Sequence, residues 1–507
     1  MAGRLWIDSL LPGKRRSTGG MGRYSTLVPN VMNLYAIVLG LIVLTLLGVS
    51  LARFSKVKTK ADYLVAGRSL PAIVLIFTLL SSWIGSGSLL AGAENAYKHG
   101  FPALWQAAGG WAGLLIIYFI APRARKFAQF TIPDLLEARY NQTARILGVI
   151  AVLFAYTAIT SYQFIGGGDI LHLIFPSVTA RHGQEIIAAF VIVFTAIAGM
   201  SSVAYMDLAI GVLATVTLVV ALPILAHIAG GWPAIVASLP ATHFQVFGDF
   251  TVTRALELFL PTCLLMLGNQ SMYQKFFSAK SEKDATRAVV GWFIGILILE
   301  TVIVALAVVG SSLFPSGEVS ENPREILAFT ALHALPHLLG AIMVGAIFAK
   351  VISTANNFLF SPATNLINDV YVRYVKPEAS NSNILLVSRF LVVLLGCWSL
   401  YQSLGTRSVL EKALYAYTVY SAALTPVILA AFFWKRTTAA GAVSSIFAGT
   451  FVTVFWDTQF IKTHLPEAIA SRDAILPALL ASLLCLALIS MVTTPPTEKQ
   501  LQPFAEG

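Results

Sequence analysis

The chain has 507 residues, 57% of them hydrophobic and 11% charged, with a mean hydropathy of +0.77; that balance belongs to a polytopic membrane protein and excludes one large soluble domain. The net charge of +10 is dispersed between apolar runs and gathers on no polar, aromatic-bearing region, which excludes nucleic-acid binding as its purpose. Cys263, Cys397 and Cys485 each fall within an apolar run and read as small core residues, with no disulfide framework and no metal cluster.

Residues 1–31 form an N-terminal tail that holds Arg4, Lys14, Arg15, Arg16 and Arg23 but no small-residue cleavage site, so a signal peptide is not expected. Met21 and Met32 are alternative starts, and Met32 opens directly onto the first apolar run. A span needs ~20 apolar residues. Thirteen runs fit: 32–53, 71–96, 103–122, 145–174, 185–201, 207–229, 256–272, 288–313, 337–359, 384–405, 412–433, 438–456 and 473–492. If the first runs outside to inside, the loops after odd-numbered spans hold most of the Lys and Arg, among them Lys56, Arg125, Arg139, Arg145, Lys275 and Arg373. The positive-inside rule then puts the N-terminus outside and the tail 493–507 in the cytoplasm, although the basic first segment opposes it.

Two of these runs are interrupted. In 71–96 the middle reads Ser81-Ser82-Trp83-Ile84-Gly85-Ser86-Gly87-Ser88, and five spans later the run is broken by Pro261 and by Gly268-Asn269-Gln270. Backbone that loosens inside hydrocarbon must face protein, water or an ion, and paired interruptions point to a secondary transporter built from an inverted repeat. Repeats at 71–229 and 256–433 follow, with one extra helix before them at 32–53 and two after them at 438–492. The competing reading of the glycines and serines is close helix packing. In the run Lys350-Val-Ile-Ser353-Thr354-Ala-Asn356-Asn357, adjacent hydroxyls and the carbonyl of Lys350 offer the hard oxygens an alkali cation prefers, although membrane hydroxyls commonly bond back to their own turn.

Six further pieces occur in one order: Tyr63-Leu-Val-Ala-Gly-Arg68; Thr131-Ile-Pro-Asp-Leu-Leu-Glu-Ala-Arg139-Tyr; Tyr205-Met-Asp207; Gly268-Asn-Gln-Ser-Met-Tyr-Gln274-Lys; Ile352-Ser-Thr-Ala-Asn with Asp369-Val-Tyr371; and Phe433-Trp-Lys-Arg436-Thr. Over nearly its full length the chain resembles the sodium:solute symporter family. The resemblance implies an all-α LeuT-type fold of about thirteen transmembrane helices, a 5+5 inverted repeat with two discontinuous helices, alternating access and Na+ as coupling ion. It implies sodium ligands at the carbonyls of Ser81, Ile84 and Lys350 and the hydroxyls of Ser353 and Thr354, a substrate contact at Asn269, and a role for Asp207 where sodium leaves. One departure stands out: the family usually has a small residue where this chain has Lys350. Its ammonium either replaces sodium and gives uniport, exchange or proton coupling, or lies aside and tunes the site, or snorkels to the interface as long side chains near helix ends do.

The solute is a small polar metabolite, with an amino acid or monocarboxylate fitting best. Ser86, Ser88, Gln106, Gln163, Asn269, Gln270 and Tyr415 are the candidate contacts, while Glu94, Asp169, Glu300, Asn356 and Asn357 are further polar groups inside spans that read equally as interhelical glue. Trp83, Trp105 and Tyr162 are aromatic candidates for stacking or gating. Ala107 and Gly110 stand where sugar carriers place polar contacts, which disfavours a polyol. No catalytic constellation appears, so an enzyme is not expected; a partner-dependent sensor and a channel are the other classes weighed.

Overall fold

The computed structural model describes residues 29–505 apart from 55–58, 128–130, 198, 316–318, 320–321, 406–407 and 457; residues 1–28 of the expected N-terminal tail, Met21 among them, and Lys56 lie outside the described residues, while 29–31, expected in that tail, begin the first helix. The described residues form a nearly all-helical bundle. Its main helices are α1 (Pro29–Phe54), α2 (Ala72–Trp83), α3 (Ala93–His99), α4 (Leu104–Phe127), α5 (Ile132–Arg139), α6 (Gln142–Ile174), α7 (Ala180–Ile197) and α8 (Met200–Ile228). The second half has α9 (Val252–Gly268), α10 (Gln270–Ser278), α11 (Glu282–Leu313), α12 (Ile326–His333), α13 (His337–Asn365), α14 (Asn381–Ser403), α15 (Val409–Ala423), α16 (Thr425–Phe433), α17 (Ala439–Trp456) and α18 (Ile475–Val492).

Among the described residues eleven helices are long and apolar enough to cross a membrane, or twelve with one bent pair, so the expected thirteen is not reached. The run expected at 256–272 is the exception: its helix α9 stops at Gly268 after 17 residues. The run expected at 412–433 is two helices, α15 and α16, meeting at Leu424 just before Pro426, whose ring cannot continue the ladder.

Burial sorts the helices. Every residue of α13 from Met343 to Asn365 is buried, which makes it the axis of the bundle. By contrast α1 presents Ile37, Leu41 and Leu44, and α18 presents Leu480, Leu484 and Leu488, outward; apolar faces of this kind suit hydrocarbon. Small residues set the close approaches. A Cβ added to Gly113 of α4 would lie 2.7 Å from Met266 Cβ and 2.8 Å from the Cys263 carbonyl of α9, so only glycine lets these two helices meet.

The first interruption is a true break. Helix α2 ends at Trp83, Ile84 turns extended (φ −85°, ψ 98°), and the chain resumes as a π-type turn over Gly87–Gly92 leading into α3, bent by 57° from α2. Gly85 is required by proximity: a Cβ there would sit 2.6 Å from Thr354 Oγ1. The second break falls at Asn269 (φ −64°, ψ 113°), whose side chain caps α10 by accepting from the Met272 amide. Pro261, expected to help break this run, stays inside α9; Ser421 Oγ donates to its carbonyl at 2.8 Å and holds the helix to α15.

Three basic residues expected in loops are buried instead: Lys275, Arg139 and Arg145. Arg139 donates to the carbonyls of Lys435 (3.1 Å) and Thr437 (3.2 Å). Arg145 is enclosed by Asp134, by Glu137 at 2.7 Å and by Asp369 at 3.5 Å, knotting α5 and α6 to the π-type segment Leu366–Val375 that extends α13. Charges leave water here because each finds oxygen partners.

Candidate cation and solute site

Where α2 stops, its last carbonyls lose their helical partners. Those of Ser81 and Ile84 turn to α13, where Thr354 Oγ1 lies 2.8 Å from Ser81 O, 3.2 Å from Ile84 O and 2.9 Å from Lys350 O, the last being its own preceding turn. Four of the five expected cation ligands therefore converge on one point, all hard neutral oxygens of the kind an alkali ion takes. Ser353 is the fifth and is turned away: its hydroxyl donates to the carboxylate of Asp207 on α8. Asp207 is fully buried and also accepts from Thr78 Oγ1 at 2.5 Å and Asn357 Nδ2 at 3.0 Å, while its backbone carbonyl accepts from Ser81 Oγ at 3.2 Å. One carboxylate thus joins α2, α8 and α13 around the candidate cation ligands.

Lys350 does not snorkel. Its side chain is 1% exposed and Nζ donates to Ser81 Oγ at 3.1 Å, on the cation site's own side of α13. Reaching the interface would take it out of a continuously buried helix, and the hydroxyl and the fields of Asp207 and Glu300 hold it inside. Lys275 is the group that sequence reasoning missed. Counted as a loop charge, it is fully buried on α10, donating to Ser82 Oγ of α2 and to Ser271 Oγ at 2.9 Å, with Asp207 as its acidic neighbour. A lysine one helical turn inside a broken span was the available signal.

Beside the break lies a narrow cleft of about 20 Å³, room for a water-sized group in this state, whose wall includes Trp83, Ser88, Gln106, Thr262, Glu300 and Tyr417. Two of the seven proposed solute contacts, Ser88 and Gln106, are on it. The other five are not. Gln163 Oε1 accepts from the Ser86 amide at 2.8 Å and so caps the restarted helix. Asn269 Oδ1 accepts from Tyr156 OH at 2.7 Å; Gln270 Oε1 accepts from the Ile132 amide at 2.6 Å. Gln163 and the capping Asn269 thus satisfy amides exposed at the two breaks, while Gln270 satisfies one at the start of α5. Tyr415 packs half-buried elsewhere, and the neighbour on the wall is Tyr417, two residues and roughly 200° further round the helix; helical phase, invisible in a list of aromatics, decides between them. Tyr417 shares its hydroxyl with Tyr162 at 3.2 Å. Trp105 is also away from the cleft, donating to Val246 O at 2.9 Å.

Glu300 of α11, named above only as possible glue, faces this cleft and accepts from Ser88 Oγ at 2.7 Å and from the Trp83 indole. Ala107 lines the wall, and a Cβ on Gly110 would lie 2.9 Å from the Trp83 ring, so small residues here make room for an aromatic wall.

A helix broken beside a buried cluster of oxygens, with a cleft at the break, is the arrangement expected of an ion-coupled secondary transporter. Residues 63–449 match the model of the sodium:solute symporter family, and the chain belongs to that family. It is 25% identical over 477 residues to the high-affinity proline transporter PutP of Bacillus subtilis (strain 168), spanning 89% of this chain and 96% of that protein. It is also 25% identical over 460 residues to the sodium/proline symporter of Staphylococcus aureus, spanning 86% and 88%. Among solved structures, a Na+-coupled sialic acid symporter in its substrate-bound outward-open state superposes with a TM-score of 0.76 at 17% identity, over 92% of this chain and 99% of the other. Mhp1, a nucleobase-cation-symport-1 family transporter, gives 0.58 at 12% identity, over 88% and 99%. The fold is therefore that of LeuT-type transporters, and the protein is an integral membrane transporter rather than an enzyme.

Proposed function

We propose that the chain couples the inward movement of Na+ to the uptake of a small polar organic solute, an amino acid or a monocarboxylate, by alternating access. The observation that carries this reading is the convergence on the Thr354 hydroxyl, at 2.8–3.2 Å, of the Ser81 and Ile84 carbonyls, across the gap between the broken helix and α13, and of the Lys350 carbonyl of α13 itself. A cation among these oxygens ties one repeat, 71–229, to the other, 256–433. Holding α2 and α3 in place would complete the cleft beside Trp83 and Ser88, and rocking of the bundle opens it inward, with Asp207 taking the ion as it leaves. Coupling is then differential affinity for two states and is reciprocal: if sodium tightens solute, solute tightens sodium equally. The N-terminus lies outside and the C-terminus in the cytoplasm of a plasma or inner cell membrane.

A second reading is supported by Lys350 Nζ, 3.1 Å from Ser81 Oγ: the ammonium stands in for sodium, and transport is sodium-independent or proton-coupled. Purified protein in liposomes separates the two. An inward sodium gradient that drives solute above equilibrium, while potassium does not, supports symport; equal uptake in both, or drive by a proton gradient alone, supports the second reading.

A further inference from the structure

The cleft at the first break is rich in acceptors. Glu300 is 6% exposed, and among the described residues no lysine, arginine or histidine nitrogen comes within ion-pair distance of it, the ammonium of Lys350 being engaged on Ser81. Gln106 is 8% exposed, and its Oε1 has no hydrogen-bond partner. The hydroxyl of Ser88 donates to Glu300, and that of Thr262 donates to Leu258 O at 3.0 Å. Lys350 reaches Glu300 only through its field, beyond ion-pair distance, and a buried carboxylate with no direct ion pair gains when a cation docks on it.

Several of the amides that would hold a carboxylate are, in contrast, already engaged. Helix N-termini at a break hold anionic groups through open amides. Here the Ser86 amide donates to Gln163, and at the start of α10 the amides of Gln270, Ser271 and Met272 donate to Tyr420 OH (3.0 Å), Tyr156 OH (3.1 Å) and Asn269 Oδ1 (3.3 Å).

We propose that this cleft binds a protonated amine: the Glu300 carboxylate receives the ammonium, Gln106 Oε1 accepts a second N–H, and the rings of Trp83 and Tyr417 wall it in. Aromatic faces add attraction for a desolvated cation. This rests on the transport reading above and narrows its solute to an amine-bearing one, such as an amino acid or an amine, at the expense of a plain monocarboxylate.

The test uses two matched sets of probes on the purified protein: L-proline, pyrrolidine and cyclopentanecarboxylate, and L-alanine, ethylamine and propionate. Thermal unfolding midpoints are read in sodium chloride and in potassium chloride, choline being avoided because it is itself an ammonium. The expected result is that amine-bearing members raise the midpoint and carboxylate-only members do not, and that Glu300→Gln weakens the amine at least tenfold. The wild-type series alone is decisive if the variant does not fold. Carboxylates that stabilise as well as amines, amine-bearing probes that never stabilise, or a folded Glu300→Gln that binds amines unchanged would each overturn the assignment. An amine that binds equally in both salts upholds the amine site and removes sodium coupling; a carboxylate that binds only in sodium does the reverse.

Discussion

Thr354 Oγ1 lies 2.8 Å from the carbonyl oxygen of Ser81, 273 residues earlier in the chain. The contact crosses the gap between a helix that breaks and a helix that does not, so it is where an ion bound at the break has leverage on the rest of the bundle. Thr354→Ala removes the hydroxyl and leaves the carbonyls. It is expected to raise the sodium concentration for half-maximal uptake by about tenfold, equivalent to ~1.4 kcal/mol, with much less loss at saturating sodium. Uptake measured across a sodium titration checks this, and an identical loss at all concentrations would count against the ligand role.

Gly85 faces the same hydroxyl. A methyl group there would meet Thr354 Oγ1 at 2.6 Å and its Cβ and Cγ2 at 2.7 Å, and a β-branched side chain on a buried helix has little freedom to turn aside. Gly85→Ala should destabilise by about 1–3 kcal/mol, the usual range for overpacking. Adding Thr354→Ser, which deletes the clashing methyl, should recover part of it. A double-mutant cycle on thermal unfolding reads the coupling.

Lys350 places an ammonium beside the proposed cation ligands. Two like charges ~4 Å apart repel by about 4 kcal/mol at an effective dielectric of 20, so Lys350→Met is expected to lower the half-saturating sodium concentration by at least tenfold, with roughly a thousandfold as the upper bound. If the wild type transports without sodium and the variant acquires a need for it, the ammonium was serving as the ion. Sodium-dependent and sodium-free uptake of the two proteins, measured side by side, separate these cases.

Arg145 holds three carboxylates, Asp134, Glu137 and Asp369, two of them buried with it. Arg145→Ala leaves them facing one another, and breaking a buried charge cluster in this way is expected to destabilise by about 3–5 kcal/mol. Asp369→Asn, which relieves the repulsion, should restore part of the melting temperature in the double variant.

Lys60 borders the same cluster and donates to Asn368 Oδ1 at 2.6 Å. Burial lowers its affinity for a proton, Asp369 opposing that and Arg145 adding to it, so it deprotonates below the ordinary lysine value of 10.5. The unfolded chain then holds more protons than the folded one between the lowered value and 10.5, and stability contributed by this group rises with pH through that window. Lys60→Met should flatten the rise in melting temperature as pH climbs toward 10.5; an unchanged slope would assign it to other groups.

The sequence by itself determined the membrane class, the helical bundle and both breaks. These rest on composition and on short-range facts: hydrocarbon demands helices, and Gly, Ser and Asn interrupt them. It also singled out Ser81, Ile84, Lys350 and Thr354 as candidates, because hydroxyls and freed carbonyls stand out in two short apolar stretches; that these four meet is a fact of packing. Only the tertiary structure decided that Ser353 turns to Asp207, that Lys350 stays inside and Lys275 joins it, and that Gln163 and Asn269 cap the restarted helices and Gln270 the start of α5 instead of lining a cleft. Only it put Glu300 and Tyr417 on the wall in place of Tyr415. Each of these depends on helical phase and on which distant helix offers a partner. A buried polar side chain takes whichever partner packing brings within hydrogen-bond reach, and a linear sequence does not contain that distance.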